Sequence, residues 1–577
     1  MFDCMKKYII CGCLLGSLLG GGCNKMLEEE PKAILTPEFL KTEKGVKKGL
    51  DAAYAGTRYV WGSQDLFVYV TGGTDEFIKG TDGNTDLNSY TSNFTPGQSN
   101  GNQVWMQCYR WINACNGIIE NAPQATMPQA DQDKAVAEAK FLRAMFYSAL
   151  VQFWRDVTVS TTYITTSVTT AKRNTLAEAM TLIIQDLKDA IAVLPAGPKS
   201  AGVLPGKANA AAARHLLGRM YLFRASTPAA QASDKEDAYQ TLKSLIDERN
   251  TVGISLLPDF GDIFREGNEA NAEVLFAVQH TSNYAFNGPN NSTVGDNVMN
   301  HMFIGQYDKR STMVRSMDYG RPYIRVVPTF WVTDTVFKER VNDTRYGKTF
   351  QTVWYANSNN AGDYDKFAWP NPLPPGAPAD AVPGGRRIKK KGDTSIYMPG
   401  VPVTSAQRNA APYLLYGNKN WDNTLAPTVK KYFDNKRADL NDQSVRPLIV
   451  WRLAETYLLA AEAAIGTSRP QEAADYINAI RRRAAYPSGD PALMEITAAD
   501  ATIDFLLEER TRELLGENTR WWDLVRTGTL IERVKKHNAE ATPNIQDRHT
   551  LRPIPQLQLD NTRGEKYNNS VYFPNWN

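Results

Sequence analysis

The sequence predicts a mainly α-helical protein: a tetratricopeptide-like scaffold of helix pairs with long loop-rich, aromatic-containing insertions and few short strands. Three observations carry this reading. Apolar residues recur at helical spacing in two blocks separated by a long interval. Small residues cluster where paired helices must approach closely, as from Ala208 to Ala213 and from Ala460 to Ala464. Between the blocks, residues 281–441 shift to Gly, Pro, Asn and aromatic residues with only short β-like runs. A hydrophobic content of 42% and a charged content of 22% suit a globular core, and a net charge of +3 is too small to draw the chain to nucleic acid.

The N-terminus reads as an export segment. Lys6 and Lys7 give a positive start, the apolar stretch to Leu19 is too short to span a bilayer, and Gly20 to Gly22 supply small residues before Cys23. Ending on Cys23 resembles a bacterial lipobox, in which the Cys thiol receives diacylglycerol and becomes the first mature residue. Gly20 stands where a lipobox usually carries Leu, and an ordinary secretory signal is the competing reading. Met1 and Met5 are both candidate starts. Residues 1–22 are thus taken as signal peptide and Cys23 as the lipidated anchor, with no later run of 18 apolar residues to span a membrane.

Helical periodicity then marks residues 105–122, 133–154, 175–194, 207–224 and 235–248, and later 446–465, 470–484 and 498–515. Cys108 and Cys115 fall seven apart on one helix, about 10 Å along its axis, which is too far for a disulfide; they read as small buried apolar residues. Residues 59–103 and 281–441 read as loop-rich, with strand-like runs at 324–327 and 349–354. The expected organisation is an N-terminal helical region over 23–280 with the insertion near 59–103, the insertion 281–441 and a C-terminal helical region over 442–577. Together 23–577 are expected to make one compact unit.

Several ordered motifs resemble the SusD/RagB-like nutrient-binding lipoproteins of Bacteroidetes. Leu27 and Pro31 follow the Cys, then come Thr36 to Phe39, Gly49 to Gly56, the helix bearing Trp105, Tyr109, Ile112 and Asn116, and the run from Glu138 to Tyr147. The densest set is Arg452 to Glu455, Leu458 to Ala463, Ile477 to Ala484, Glu508 to Leu514, Arg520 to Arg526 and Leu551 to Pro555. Its opposite charges stand at i, i+3 and i+4 spacings, each worth only ~0.2–0.5 kcal/mol if exposed, whereas buried versions would fix helix register. These motifs read as scaffold.

Catalytic chemistry finds little support. Glu509 and Glu513 lie among arginines that lower carboxyl pKa values, a poor setting for an acid catalyst. His215, His280, His301, His537 and His549 are not paired at zinc-ligand spacing, the two body cysteines form no C-x-x-C, and Gly202 to Lys207 fails the phosphate-loop pattern. No cofactor or metal is expected. A cation at the Asp- and Asn-rich stretch 82–93 is left unassigned, since EF-hand spacing is missing.

The resemblance implies a surface-exposed, outer-membrane, non-catalytic lipoprotein that captures nutrient oligomers and delivers them to a SusC-like TonB-dependent transporter, over which it acts as a lid. A glycan such as an oligosaccharide is the first candidate ligand; a peptide in the same role, or a lipoprotein glycoside hydrolase, are the alternatives. Sugar C–H faces stack on aromatic rings while amides and carboxylates bond the hydroxyls. The candidate ligand residues, chosen on composition, are Trp61, Tyr69, Asp75, Tyr90, Asn93 and Phe94 in the first loop-rich stretch and Tyr284, Phe286, Asn287, Trp354, Tyr355 and Asn357 in the second. Glu28 to Glu30 resemble a surface-export signal, with a solvated linker as the plain reading.

Overall fold

The computed structural model describes residues 36–198, 205–283 and 297–563. Helix α1 (Glu43–Val60) and the short α2 (Gln64–Thr71) lead through strand β1 (Phe77–Lys79) into α3 (Ser99–Asn121), α4 (Gln129–Trp154), α5 (Leu176–Val193), α6 (Ala210–Ala225) and α7 (Asp234–Asp247). Each of α3 to α7 packs on the next. The starts are fixed locally: Thr175 and Glu178 form a capping box on α5, and the Asn209 side chain caps α6 by accepting from Ala212 N at 2.9 Å. Gly218 lets α6 meet α7 closely, since a methyl group there would lie 2.5 Å from Leu242 Cγ.

The second block does not stand apart. Helix α8 (Leu453–Gly466) packs against α7 and pairs with α9 (Pro470–Ala484), and α10 (Ile503–Leu514) packs on α8. Helices α11 (Arg520–Arg526) and α12 (Leu530–His537) follow, with α11 returning to α2. One contiguous apolar core therefore runs from Val46 to Ile554. Cys108 and Cys115 are buried free thiols in it, and burial pushes both thiol pKa values up. Among the described residues no helix is long and apolar enough to cross a membrane.

Three sequence expectations need correction. The helix expected from residue 446 begins at Leu453, because Leu448–Arg452 forms a strand paired antiparallel with Val274–Val278. Its β-branched and aromatic residues fill a sheet, and the helix starts only where the Ala-rich run begins. The helix expected from 498 begins at Ile503, where Thr502 caps it. Residues 59–103 are not mainly loop: they contain the end of α1, all of α2, whose apolar run is buried throughout, and the first turn of α3.

The insertion carries short strands, as expected. Val326–Pro328 pairs with β1, and a three-stranded sheet joins Val353–Tyr355, Thr394–Tyr397 and Leu414–Leu415. It has small cores of its own, one around Trp354, Ile396, Met398 and Leu425. Arg345 fastens the insertion to the scaffold by reaching Glu509 at 2.8 Å and Glu513 at 3.0 Å on α10.

Candidate ligand-binding surface

The alternation of the strand Val353–Tyr355 sets the geometry of the site. Trp354 faces inward and is buried, whereas Tyr355 faces outward with 50% of its surface exposed. Its backbone is pinned: Tyr355 N donates to the Tyr319 hydroxyl at 2.7 Å, and Ala356 N donates to Asp393 O at 2.8 Å. Asn357 clamps the neighbouring loop, its Nδ2 donating to Val314 O at 2.9 Å and its Oδ1 accepting from Val314 N at 2.7 Å. Burial raises the Tyr319 hydroxyl pKa, so it stays a neutral hydrogen-bonding group. The outcome is a fixed backbone presenting a free ring, beside the exposed Val314 and the exposed amides of Asn359 and Asn360.

Among the described residues only Phe330, Tyr355 and Tyr486 have strongly exposed aromatic rings. Phe330 lies 4.5 Å from the buried Trp421 ring at the start of a π-helical turn, Trp331–Val336, and so offers a second platform on the insertion. The Phe330 ring, held against Trp421, can stack on an apolar ligand face with little loss of side-chain freedom, and the Tyr355 ring offers such a face from a fixed backbone.

Most of the sequence candidates go elsewhere. Trp61 packs on Phe146, Tyr69 on Phe153 and Trp154, and Tyr90 and Phe94 against His549. These four rings, together with Trp354 and Asp75, are buried, so they present no face to a ligand. The first three are covered from distant parts of the chain, Trp61 and Tyr69 by α4 and Tyr90 by His549, which a local reading of residues 59–103 as loop does not foresee. Asn93 is exposed at a turn, well apart in sequence from Tyr355. Asn357 spends its amide on Val314 and so positions the loop. Tyr284, Phe286, Asn287 and Cys23 lie outside the described residues. Tyr319 and the cationic run Arg386 to Lys391 are not among the sequence candidates; charge patterning could have found the run, with five cations in six residues.

The comparisons with known proteins agree with this architecture. A family model described as "SusD family" matches residues 268–574, more than half of the chain, and one described as "Starch-binding associating with outer membrane" matches residues 25–222. This chain belongs to the SusD family. A SusD-like protein P2 from Formosa agariphila is 26% identical over 590 residues, covering 98% of this chain and all of that protein. Among solved structures, a SusD homolog from Bacteroides thetaiotaomicron superposes with a TM-score of 0.67 at 20% identity, over 91% of this chain and 96% of that one. A laminarin-binding SusD-like protein gives 0.61 at 21% identity, over 90% and 98% of the two chains. A surface glycan-binding protein A from B. thetaiotaomicron in complex with laminarihexaose gives 0.58 at 19% identity, over 90% and 97%. These likenesses establish the SusD fold.

In this SusD-family chain Asp75 and Glu76 are both buried at the seam between the N-terminal region, the insertion and α11. Burial raises Glu76 to about 7, and Arg520, 3.5 Å away, only partly offsets it. A carboxyl held above its unfolded pKa favours the folded state most below the unfolded value. That contribution fades as pH rises from about 4.5 to about 7, where both states are ionised. Glu76→Gln is therefore expected to gain on the wild type by roughly 2 kcal/mol between pH 5 and pH 8. Urea unfolding of both proteins at the two pH values checks this; a constant difference would refute it.

Proposed function

We propose that this chain is a surface-exposed, lipid-anchored nutrient-binding protein of the outer membrane that captures oligosaccharide without cleaving it. In this reading Cys23 carries the lipid, and the chain passes its ligand to a SusC-like TonB-dependent transporter as that transporter's lid. The carrying observation is the exposed Tyr355 ring on a backbone pinned by Tyr319 and Asp393. SusD-fold proteins described as binding laminarin or in complex with laminarihexaose support the ligand class. The organisation as one unit over 23–577 fits the continuous core.

Removal of the ring is the direct test. Tyr355→Ala is expected to weaken retention on whichever polysaccharide of a panel slows the wild type in native gels, by about tenfold or ~1.4 kcal/mol. Asn93→Ala, distant in sequence, is expected to change little. Unchanged retention of the Tyr355 variant would remove the site. Release of new reducing ends from the bound polysaccharide would replace capture by hydrolysis, and purification from membranes without a β-barrel partner would remove the transporter role.

A further inference from the structure

A basic turn beside Tyr355 defines the kind of glycan this surface takes. Gly392 N donates to Ala356 O at 2.8 Å, which places the segment 389–393 against the residue that follows Tyr355. The turn is closed by one carboxylate: Asp393 Oδ2 accepts from Lys389 N at 3.0 Å and Lys390 N at 2.9 Å. Gly392, at φ +91°, supplies the left-handed step that the turn requires. Lys390 and Lys391 are left exposed on it, and Lys391 Nζ reaches the amide oxygen of Asn359, four residues beyond Tyr355, at 3.0 Å.

The neighbouring cations are occupied. Arg386 pairs with Asp365 at 2.6 Å, Lys389 pairs with Asp380, and Arg387 lies over the Phe367 and Trp369 rings. No described carboxylate stands within ion-pair distance of Lys390 or Lys391. Residues 353–416 hold seven Lys and Arg against four Asp and no Glu, in a chain otherwise close to charge balance. Exposed ammonium groups without a carboxylate partner, on a turn tied to the residue that follows an exposed ring, suit a ligand with a stacking face and acid groups.

We infer that the oligosaccharide captured at Tyr355 is anionic, carrying carboxylate or sulfate groups that meet Lys390 and Lys391. This rests on the reading of Tyr355 as the ligand platform. The two acid types share one chemistry here, an oxyanion accepting from ammonium donors.

The test is calorimetric titration of the purified full chain with matched oligosaccharide pairs: oligogalacturonate beside its methyl ester, and a sulfated galactan beside its desulfated form. In 50 mM salt one acidic member is expected to bind at least about tenfold more tightly than its neutral partner. Raising the salt to about 300 mM should remove most of that preference, since screening shortens the reach of surface charges. The double variant K390Q/K391Q is expected to lose about three- to tenfold for the acidic member and nothing for the neutral one. Whether the uronate or the sulfate pair responds identifies the acid. Equal or tighter binding of the neutral members, or an acidic preference untouched by K390Q/K391Q, would overturn the inference. If Tyr355→Ala still weakened neutral binding, the capture site itself would stand. Binding of none of the four would overturn it as well.

Discussion

Asp75→Asn is expected to lower the unfolding free energy by about 3–5 kcal/mol at neutral pH. Asp75 is fully buried and accepts from Arg520 Nε at 2.7 Å, Arg520 Nη2 at 2.6 Å and Arg533 Nε at 2.8 Å, donors more than 440 residues away in sequence. The amide keeps the shape and removes the charge, leaving Arg520 with Glu76 at 3.5 Å, a carboxyl only part-ionised at neutral pH, and Arg533 with Asp504 at 2.8 Å. Burial alone would raise the Asp75 pKa; the two guanidiniums reverse this and hold it at about 2. Its stabilising contribution is thus present above the unfolded value of 3.8 and lost as pH falls toward 2. A lower urea midpoint with an unchanged slope is the expected reading. A variant as stable as the wild type but unable to bind glycan would make Asp75 the ligand residue that its sequence position suggests.

Glu513→Gln is expected to cost a similar ~3–5 kcal/mol, for the same reason in a denser setting. Glu513 is fully buried and accepts from Arg452 at 2.6 Å, from Arg345 at 3.0 Å and from Arg483. Burial acts to raise its pKa, and Arg483, Arg452 and Arg345 together drive it well below the usual carboxylate range. The three arginines come from a strand, from α9 and from the insertion, so the variant loosens three elements at once. Glu495→Gln provides the contrast, because Glu495 meets Arg482 on the exposed side of α9. Its urea midpoint should match the wild type. A Glu513 variant that behaved like the Glu495 variant would show that the buried network is not what fastens the insertion to the scaffold.

The motif Arg481 to Arg483 shows how far sequence reading reaches. Helical spacing places the three arginines on α9, and the structure then separates their fates. Arg481 reaches Glu509 at 2.8 Å, Arg482 meets Glu495 near solvent, and Arg483 enters the core to Glu273 and Glu513. Local charge pairing survives at Arg526 with Asp523, 2.9 Å apart, but Arg526 also crosses to Glu462 on α8 at 2.7 Å. The motif reads correctly as scaffold, whereas its partners are legible only in three dimensions.

By itself the sequence determined the helix pairs, their small-residue crossings and the family, because these rest on contacts within a few residues and on ordered motifs along the chain. Tertiary structure alone decided which aromatic rings see solvent. Tyr69 and Tyr355 are equally plausible in isolation, yet the first is sealed by Phe153, Trp154 and Arg552 and the second is left open by strand alternation at the edge of a small sheet. The physical reason is that exposure is set by whatever packs on a residue from distant parts of the chain, and no local pattern encodes that cover.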